Sequence, residues 1–241
     1  MGGCQPARYK EVYSRAVALV LGLFPVTCYL CLDAGQRPAL DLCAGCEADL
    51  PANIPACPIC ALPVPEIGGP CRRCARRQRA FDAAYAPYRY VFPLPELIHR
   101  MKYRGQLPIT RILGCVLGKR LADRGALQVD AVVPVPLHAG RERKRGYNQA
   151  REIAVFAARE LGLPVHDRLA QRTRATAEQT GLAAGARRRN LRGAFEVSGV
   201  PPLRVAIVDD VLTTGATAES LALALRRAGC RRIEVWAVAR A

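Results

Sequence analysis

Apolar residues recur at helical spacing over residues 8–24, where Tyr9, Val12, Tyr13, Ala16, Val20 and Leu23 share a face and Pro25 ends the run. From residue 26 to about 79 that rhythm disappears, and Cys, Pro and Gly dominate. Beyond residue 80, buried-strand patterns alternate with helical ones. The spacing predicts a strand over 85–92, a helix over 94–103 broken by Gly105, and a second helix over 109–124. A continuous apolar run over 130–135 reads as a buried strand entering Pro134-Val135-Pro136, and residues 148–161 read as a helix closed by Gly162 and Pro164. Residues 203–208 give the cleanest buried strand, 216–228 the helix that follows it, stopped by Gly229, and 232–238 a last strand. Strand, loop and helix repeated in this order predict an α/β fold with a parallel sheet and ligands at the carboxyl ends of its strands.

The cysteines set the middle segment apart. Eight of the eleven fall into four Cys-x-x-Cys pairs, Cys28/Cys31, Cys43/Cys46, Cys57/Cys60 and Cys71/Cys74. The two sulfurs of such a pair can meet one tetrahedral ion from a single tight turn, so the eight account for two Cys₄ sites, with structural Zn²⁺ as the expected ion. Adjacent pairing, first with second and third with fourth, suits the ten or eleven residues between pairs. Nested or crossed pairing, and an iron–sulfur cluster, remain as alternatives. Cys4, Cys115 and Cys230 are left over and read as small buried hydrophobes. A domain division follows: an amphipathic helix over 1–27, a metal-stapled module over 28–80, and an α/β domain over 81–241.

Composition narrows the function classes. With 51% hydrophobic and 23% charged residues among 241, the chain is no disordered tail. The longest apolar run, residues 16–26, is interrupted by Gly22 and Pro25 and is shorter than the ~20 residues of a membrane span. No export signal opens the sequence, so the cytoplasm is the expected compartment. Lys and Arg outnumber Asp and Glu by 36 to 20, a net charge of +16 that favours phosphates or nucleic acid as partners. Two thiolate-bound Zn²⁺ sites would lower it to about +12. Arg72, Arg73, Arg76, Arg77 and Arg79 form a basic run that is either a solvated surface or a nucleic-acid contact.

The most specific chemistry lies in Val205-Ala206-Ile207-Val208-Asp209-Asp210-Val211-Leu212-Thr213-Thr214-Gly215-Ala216-Thr217. Four apolar residues deliver two acids to a strand end, and a Thr/Gly turn then opens a helix, where amides and hydroxyls converge on an anion. Thr213, Thr214 and Thr217 supply donors, and Gly215 lets the backbone approach closely. Asp209 and Asp210 beside a phosphate suit sugar hydroxyls or a Mg²⁺ ion, a combination that describes a ribose 5-phosphate. Upstream, Val133-Pro134-Val135-Pro136-Leu137-His138 leads into the basic Arg141-Glu142-Arg143-Lys144-Arg145, suited to a charged leaving group, with Arg145 as first choice for the inward arginine. Residues 171–180 read as a long polar loop, able to close over the site with Arg172 and Arg174.

Residues 205–217 resemble, position by position, the signature of the phosphoribosyltransferases. By that resemblance Asp209 and Asp210 bind the ribose hydroxyls of phosphoribosyl diphosphate (PRPP), Thr213, Thr214, Gly215, Ala216 and Thr217 hold its 5-phosphate, Val211 and Leu212 complete the PRPP-binding stretch, and Val135 and Pro136 with Arg145 form a diphosphate loop. Together with the cysteine pairs, Lys102-Tyr103, Arg145-Gly146-Tyr147-Asn148-Gln149 and Arg189-Asn190-Leu191, the chain is similar over 28–241 to the ComF family, including its GntX-like members. The resemblance implies a double zinc ribbon fused to a type I phosphoribosyltransferase fold, in a family tied to competence and uptake of single-stranded DNA. Asp209, Asp210, Arg145 and Arg172 would then carry PRPP- and Mg²⁺-dependent transfer to an acceptor. The alternative is a non-catalytic protein that senses PRPP or a nucleotide and binds single-stranded DNA or a protein of the uptake machinery.

Overall fold

The computed structural model describes residues 27–35, 41–66, 68–125, 127–174 and 193–241. The helix expected over 8–24, Cys4, the polar stretch from 175 to 180 and Arg189-Asn190-Leu191 lie outside them. The chain divides into two compact units, Met1–Asp49 and Leu50–Ala241. This division passes between the second and third cysteine pairs, and the second pair of knuckles belongs with the sheet.

In the smaller unit, an antiparallel bridge between Thr27 and Ala34 closes the turn that carries Cys28 and Cys31. A short helix, α1 (Ala44–Ala48), carries the other pair, and the Cys43 Sγ caps its start by accepting from the Cys46 N–H.

The larger unit contains helices α2 (Arg72–Arg76), α3 (Leu94–Arg104), α4 (Pro108–Ala122), α5 (Ala139–Arg145), α6 (Gln149–Leu161) and α7 (Ala216–Arg227). Its strands are β1 (Ala83–Tyr85), β2 (Tyr88–Arg89), β3 (Ala131–Pro134), β4 (Ala170–Arg172), β5 (Phe195–Val197), β6 (Arg204–Leu212) and β7 (Arg232–Arg240). The main sheet runs β1-β7-β6-β3, with β2 also on β7, and every pairing in it is parallel. Strands β3, β6 and β7 are nearly continuous runs of buried residues, as a parallel sheet covered on both faces requires. The α/β class and the parallel sheet expected from the sequence are both present.

Four segments differ from expectation. The strand expected over 85–92 is two short ones, β1 and β2, laid in succession along β7. Strand β6 continues through both acids to Leu212, because pairing with β7 persists at Asp209, Val211 and Leu212. The basic run after His138 is helical: His138 Nδ1 accepts from the Gly140 N–H at 3.2 Å and starts α5, and Gly146 at φ 85° ends it. Residues 170–172 pair with 195–197 as an antiparallel ribbon instead of lying in a loop.

Helix α3 buries Leu94, Leu97, Ile98 and Met101, one stripe at i, i+3, i+4 and i+7, and Gly105 in the left-handed region stops it. Helices α4 and α6 meet through glycine: a Cβ on Gly114 would lie 2.6 Å from the Phe156 Cβ, and one on Gly118 2.7 Å from the Glu160 Cβ. Asp82 ties the sheet edge to α7, receiving both Arg226 Nη2 contacts at 2.6 Å and the Ile233 N–H at 2.7 Å. Among the described residues no helix is long and apolar enough to cross a membrane.

Candidate functional site

The eight paired cysteines form two groups, Cys28, Cys31, Cys43 and Cys46 in the smaller unit, and Cys57, Cys60, Cys71 and Cys74 in the larger. Adjacent pairing is therefore the arrangement adopted. Within each group the sulfurs lie within 4.8 Å of one another. The Cys31–Cys43 and Cys60–Cys71 sulfurs are 3.6 Å apart, far longer than a disulfide and close to the ~3.8 Å edge of a tetrahedron with ~2.3 Å Zn–S bonds. Backbone amides turn inward on the sulfurs, Cys46 N–H to Cys43 Sγ and Cys71 N–H to Cys57 Sγ, both at 3.3 Å. Burial raises the Cys28 thiol, but the amides of Cys31 and Cys43 outweigh it and bring it down to about 6. At Cys71 the amide of Cys74 likewise overcomes burial and brings the thiol to about 7. One thiol at each site is thus lowered, while Cys31 and Cys46 are raised by neighbouring sulfurs and Cys60 and Cys74 by burial, so it is the four-sulfur geometry that suits Zn²⁺ at both sites.

The second site is a cleft of ≈ 320 Å³ at the carboxyl end of the sheet. Strand β6 brings Asp209, Asp210 and Val211 to it, and the turn into α7 brings Thr213 and Thr217. The loop after β3 contributes Val135, helix α5 Arg141 and Arg145, and β4 Arg172. Of the residues expected from the sequence, these eight, Val135, Arg145, Arg172, Asp209, Asp210, Val211, Thr213 and Thr217, share one cavity. Pro136, Leu212, Thr214, Gly215 and Ala216 do not line it. Leu212 is buried beneath the loop, where its carbonyl accepts from Arg240. Thr214 Oγ1 accepts from the Ala216 N–H at 3.3 Å, and Gly215 at φ 75° is the left-handed residue that opens α7. That conformation is why a glycine stands there.

The two acids are held differently. Asp210 is 4% exposed, its Oδ1 accepts from the Val211 N–H at 2.7 Å, and its Oδ2 lies 2.7 Å from Lys102 Nζ. Burial pulls the Lys102 ammonium down, but Asp210 and then Asp209 outweigh it and hold it above its ordinary value. Asp209 faces the cleft, and its Oδ1 accepts from the Asp210 N–H at 2.9 Å. Burial first, and the Asp210 charge second, push its carboxyl up to about 7 against the pull of Lys102 and Arg172. Arg172 is itself lowered by burial and by Arg141, partly offset by Asp209. Its guanidinium lies 5.7 Å above the Phe195 ring, on the strand that pairs with its own.

Arg145 is fixed by two neighbours, the Gln149 Oε1 at 2.6 Å and the Tyr103 ring at 5.7 Å. Asn148 couples the elements on either side of it. Its Oδ1 caps α6 through Ala150 and Arg151, and its Nδ2 donates to the Val135 carbonyl at 3.0 Å. The Tyr147 hydroxyl donates to the Met101 carbonyl, which docks α3 so that Lys102 reaches Asp210. Lys102 as the partner of Asp210 was not foreseeable from spacing, since 108 residues of chain separate them. The sequence signals are that it is one of four lysines in a chain of arginines and that Lys102-Tyr103 is among the residues carrying the family resemblance. The cleft thus sets four cations, Lys102, Arg141, Arg145 and Arg172, against two carboxylates beside a helix N-terminus, a charge arrangement complementary to a multiply charged anion bearing hydroxyls.

Comparison with known proteins adds the relatives. A double zinc ribbon domain family model matches residues 19–75. Over 232 residues the chain is 33% identical to competence protein F of Haemophilus influenzae, covering 92% of this chain and 100% of that protein. Over 221 residues it is 32% identical to the DNA utilization protein YhgH of Salmonella typhimurium, covering 90% and 97%. Among solved structures it overlays on a purine phosphoribosyltransferase from Pyrococcus horikoshii with a TM-score of 0.33 at 18% identity, over 54% of this chain and 80% of that one.

Proposed function

The chain belongs to the competence protein F family, and from that premise we propose that the cleft of its larger unit binds PRPP with Mg²⁺ and transfers the phosphoribosyl group to an acceptor. The observation that carries this reading is the meeting of the Asp209-Asp210 pair, Thr213 and Thr217 with three arginines and a lysine in one cavity. Thr213, Thr217 and the first amides of α7 hold the 5-phosphate. Asp209 accepts from the ribose hydroxyls, and Lys102 holds its neighbour Asp210 in place. Arg145, Arg141 and Arg172 neutralise the diphosphate as its bond to the sugar carbon breaks and the acceptor's nucleophile bonds to that carbon. Bound Mg²⁺ would supply further neutralisation of the leaving group, and with Asp210 engaged by Lys102 the carboxylate that fits it is Asp209. The arginine-bearing ribbon β4–β5 excludes water from the electron-poor sugar carbon.

A screen of candidate acceptors with PRPP and Mg²⁺, read as diphosphate release, tests the reading. Release that needs both an acceptor and Arg145 supports transfer; PRPP binding with no release across the screen supports a sensing role.

A second reading concerns the larger unit's knuckle. Arg72, Arg73 and Arg76 are exposed on α2 and its flanks, a basic face suited to the phosphates of single-stranded DNA. Its test is the salt dependence of binding: three lost phosphate contacts in Arg72→Gln, Arg73→Gln, Arg76→Gln would flatten the log–log slope by about 2. An unchanged slope would assign the run to a solvated surface.

A further inference from the structure

Two arginines join the second knuckle to the anion loop. Arg240 closes β7 and is 5% exposed. Its Nε donates to the carbonyl of the cysteine Cys60 at 3.1 Å, and its Nη1 donates to the Leu212 carbonyl at 2.7 Å, the last residue of β6 before the loop. Arg79 follows the knuckle's other end. Against burial, its guanidinium is held above its ordinary pKa by the neighbouring Cys74 sulfur and Glu219, and its Nη1 lies 3.4 Å from Glu219 Oε2 in the first turn of α7. The Ala80 N–H donates to the other oxygen of Glu219 at 3.2 Å, and the Glu219 N–H in turn bonds the Gly215 carbonyl at 2.8 Å. A Cβ on Gly215 would stand 3.9 Å from Arg79 Nη1, so this strut runs directly under the loop.

One arginine therefore grips the residue where the loop begins and the other grips the helix turn where it ends, and both are anchored on ligand cysteines of one knuckle. A Thr/Gly loop has high conformational freedom, and ordering it on binding would weaken affinity. A knuckle held by four sulfurs on one ion is the most rigid anchor a segment this short can offer. We propose that Arg79 and Arg240 are positioning residues for the ligand's phosphate: they transmit the metal-held shape of the second knuckle to residues 212–217, presetting the loop's amides before the anion arrives. The inference rests on reading that loop as a phosphate site, but the struts exist without ligand and are tested without one.

Hydrogen exchange followed by mass spectrometry on the full zinc-loaded chain, with no ligand added, reads the loop directly. Arg79→Met and Arg240→Met are compared with the unaltered protein and with Arg204→Met, which breaks only an exposed ion pair to Asp130. Exchange in peptides covering 212–217 rises about tenfold in the two strut variants, a loss of ~1.4 kcal/mol of local stability, and is unchanged in Arg204→Met. Zinc stays at the level of the unaltered protein, and Arg79→Lys, which keeps the charge toward Glu219, recovers part of the protection. If Arg240→Met unfolds globally, Arg79→Met alone decides. Loop exchange indistinguishable from the unaltered protein in Arg79→Met overturns the proposal, whatever PRPP does. Loop exchange that rises while the unaltered protein fails to bind PRPP keeps the struts and removes the phosphate reading.

Discussion

Replacing Asp209 with Asn should make the ligand-free protein more stable at neutral and alkaline pH. In the folded state its carboxyl is pushed up to about 7 from an ordinary 3.8, chiefly by burial and then by Asp210. An acid raised on folding is penalised once it must ionise, so the cost begins near pH 3.8, grows through the window to about 7, and is constant above it. About three pH units at ~1.4 kcal/mol each bound the cost at about 4 kcal/mol. Asn keeps the oxygen that accepts from the Asp210 N–H, and the pull of Lys102 is already contained in the value near 7; because Asp209 is only partly buried, solvent screening reduces the expected gain to about 1–3 kcal/mol. For a unit of this size each kcal/mol moves the melting point by ~2–4 °C. Thermal unfolding of the zinc-loaded chain without ligand should therefore show Asp209→Asn melting a few degrees above the unaltered protein at pH 8, with a smaller gain at pH 5. A lower melting point at pH 8, or the same gain at both pH values, would refute the assignment of Asp209 as an acid held at a cost to stability.

Other consequences are equally accessible. Metal analysis of protein purified without chelator should return two zinc ions per chain, falling to about one in Cys71→Ser; a value of one in the unaltered protein would contradict the two-site arrangement. Lys102→Met strips the buried Asp210 of its cation and should cost about 1–3 kcal/mol in denaturant unfolding. Adding Asp210→Asn should recover part of that loss, and a simple sum of the two losses would mean the pair is not coupled. Gly114→Ala places a Cβ 2.6 Å from the Phe156 Cβ and 2.8 Å from the Ile153 carbonyl. It should cost about 1–3 kcal/mol by prying α4 from α6, and a change under ~0.5 kcal/mol would show that the two helices separate freely.

Local patterns made the strands and helices legible, because burial on both sheet faces leaves near-continuous apolar runs and because α3, α6 and α7 carry clear stripes and caps. Spacing favoured adjacent pairing of the cysteines but left nested and crossed pairing open, and the fold decides between them by bringing Cys28 and Cys31 to Cys43 and Cys46, and Cys57 and Cys60 to Cys71 and Cys74. What stayed hidden depends on contacts distant in sequence. That β6 runs on through Asp209 and Asp210 is decided by β7, whose residues Ala237 to Arg240 supply the pairing. Lys102 reaches Asp210 only because Tyr147 docks α3, and Arg240 reaches Cys60 from 180 residues away. The helix over 139–145 was masked by its charge: a run of arginines reads as surface, and only the His138 cap and the Gly146 stop reveal the turns between them. The motif at 205–217 gave the cleft's location, while the residues that complete its charge lie on elements the motif says nothing about.

Binding of PRPP in the cleft, through the paired acids and the loop that follows them, is the proposal on which the others depend. Isothermal calorimetry with PRPP and Mg²⁺ on the full chain tests it most directly. Saturable one-site binding by the unaltered protein is expected, with no measurable heat of binding when Asp209→Asn and Asp210→Asn are combined in a chain that still melts cooperatively. Unchanged affinity in that folded double variant would contradict it.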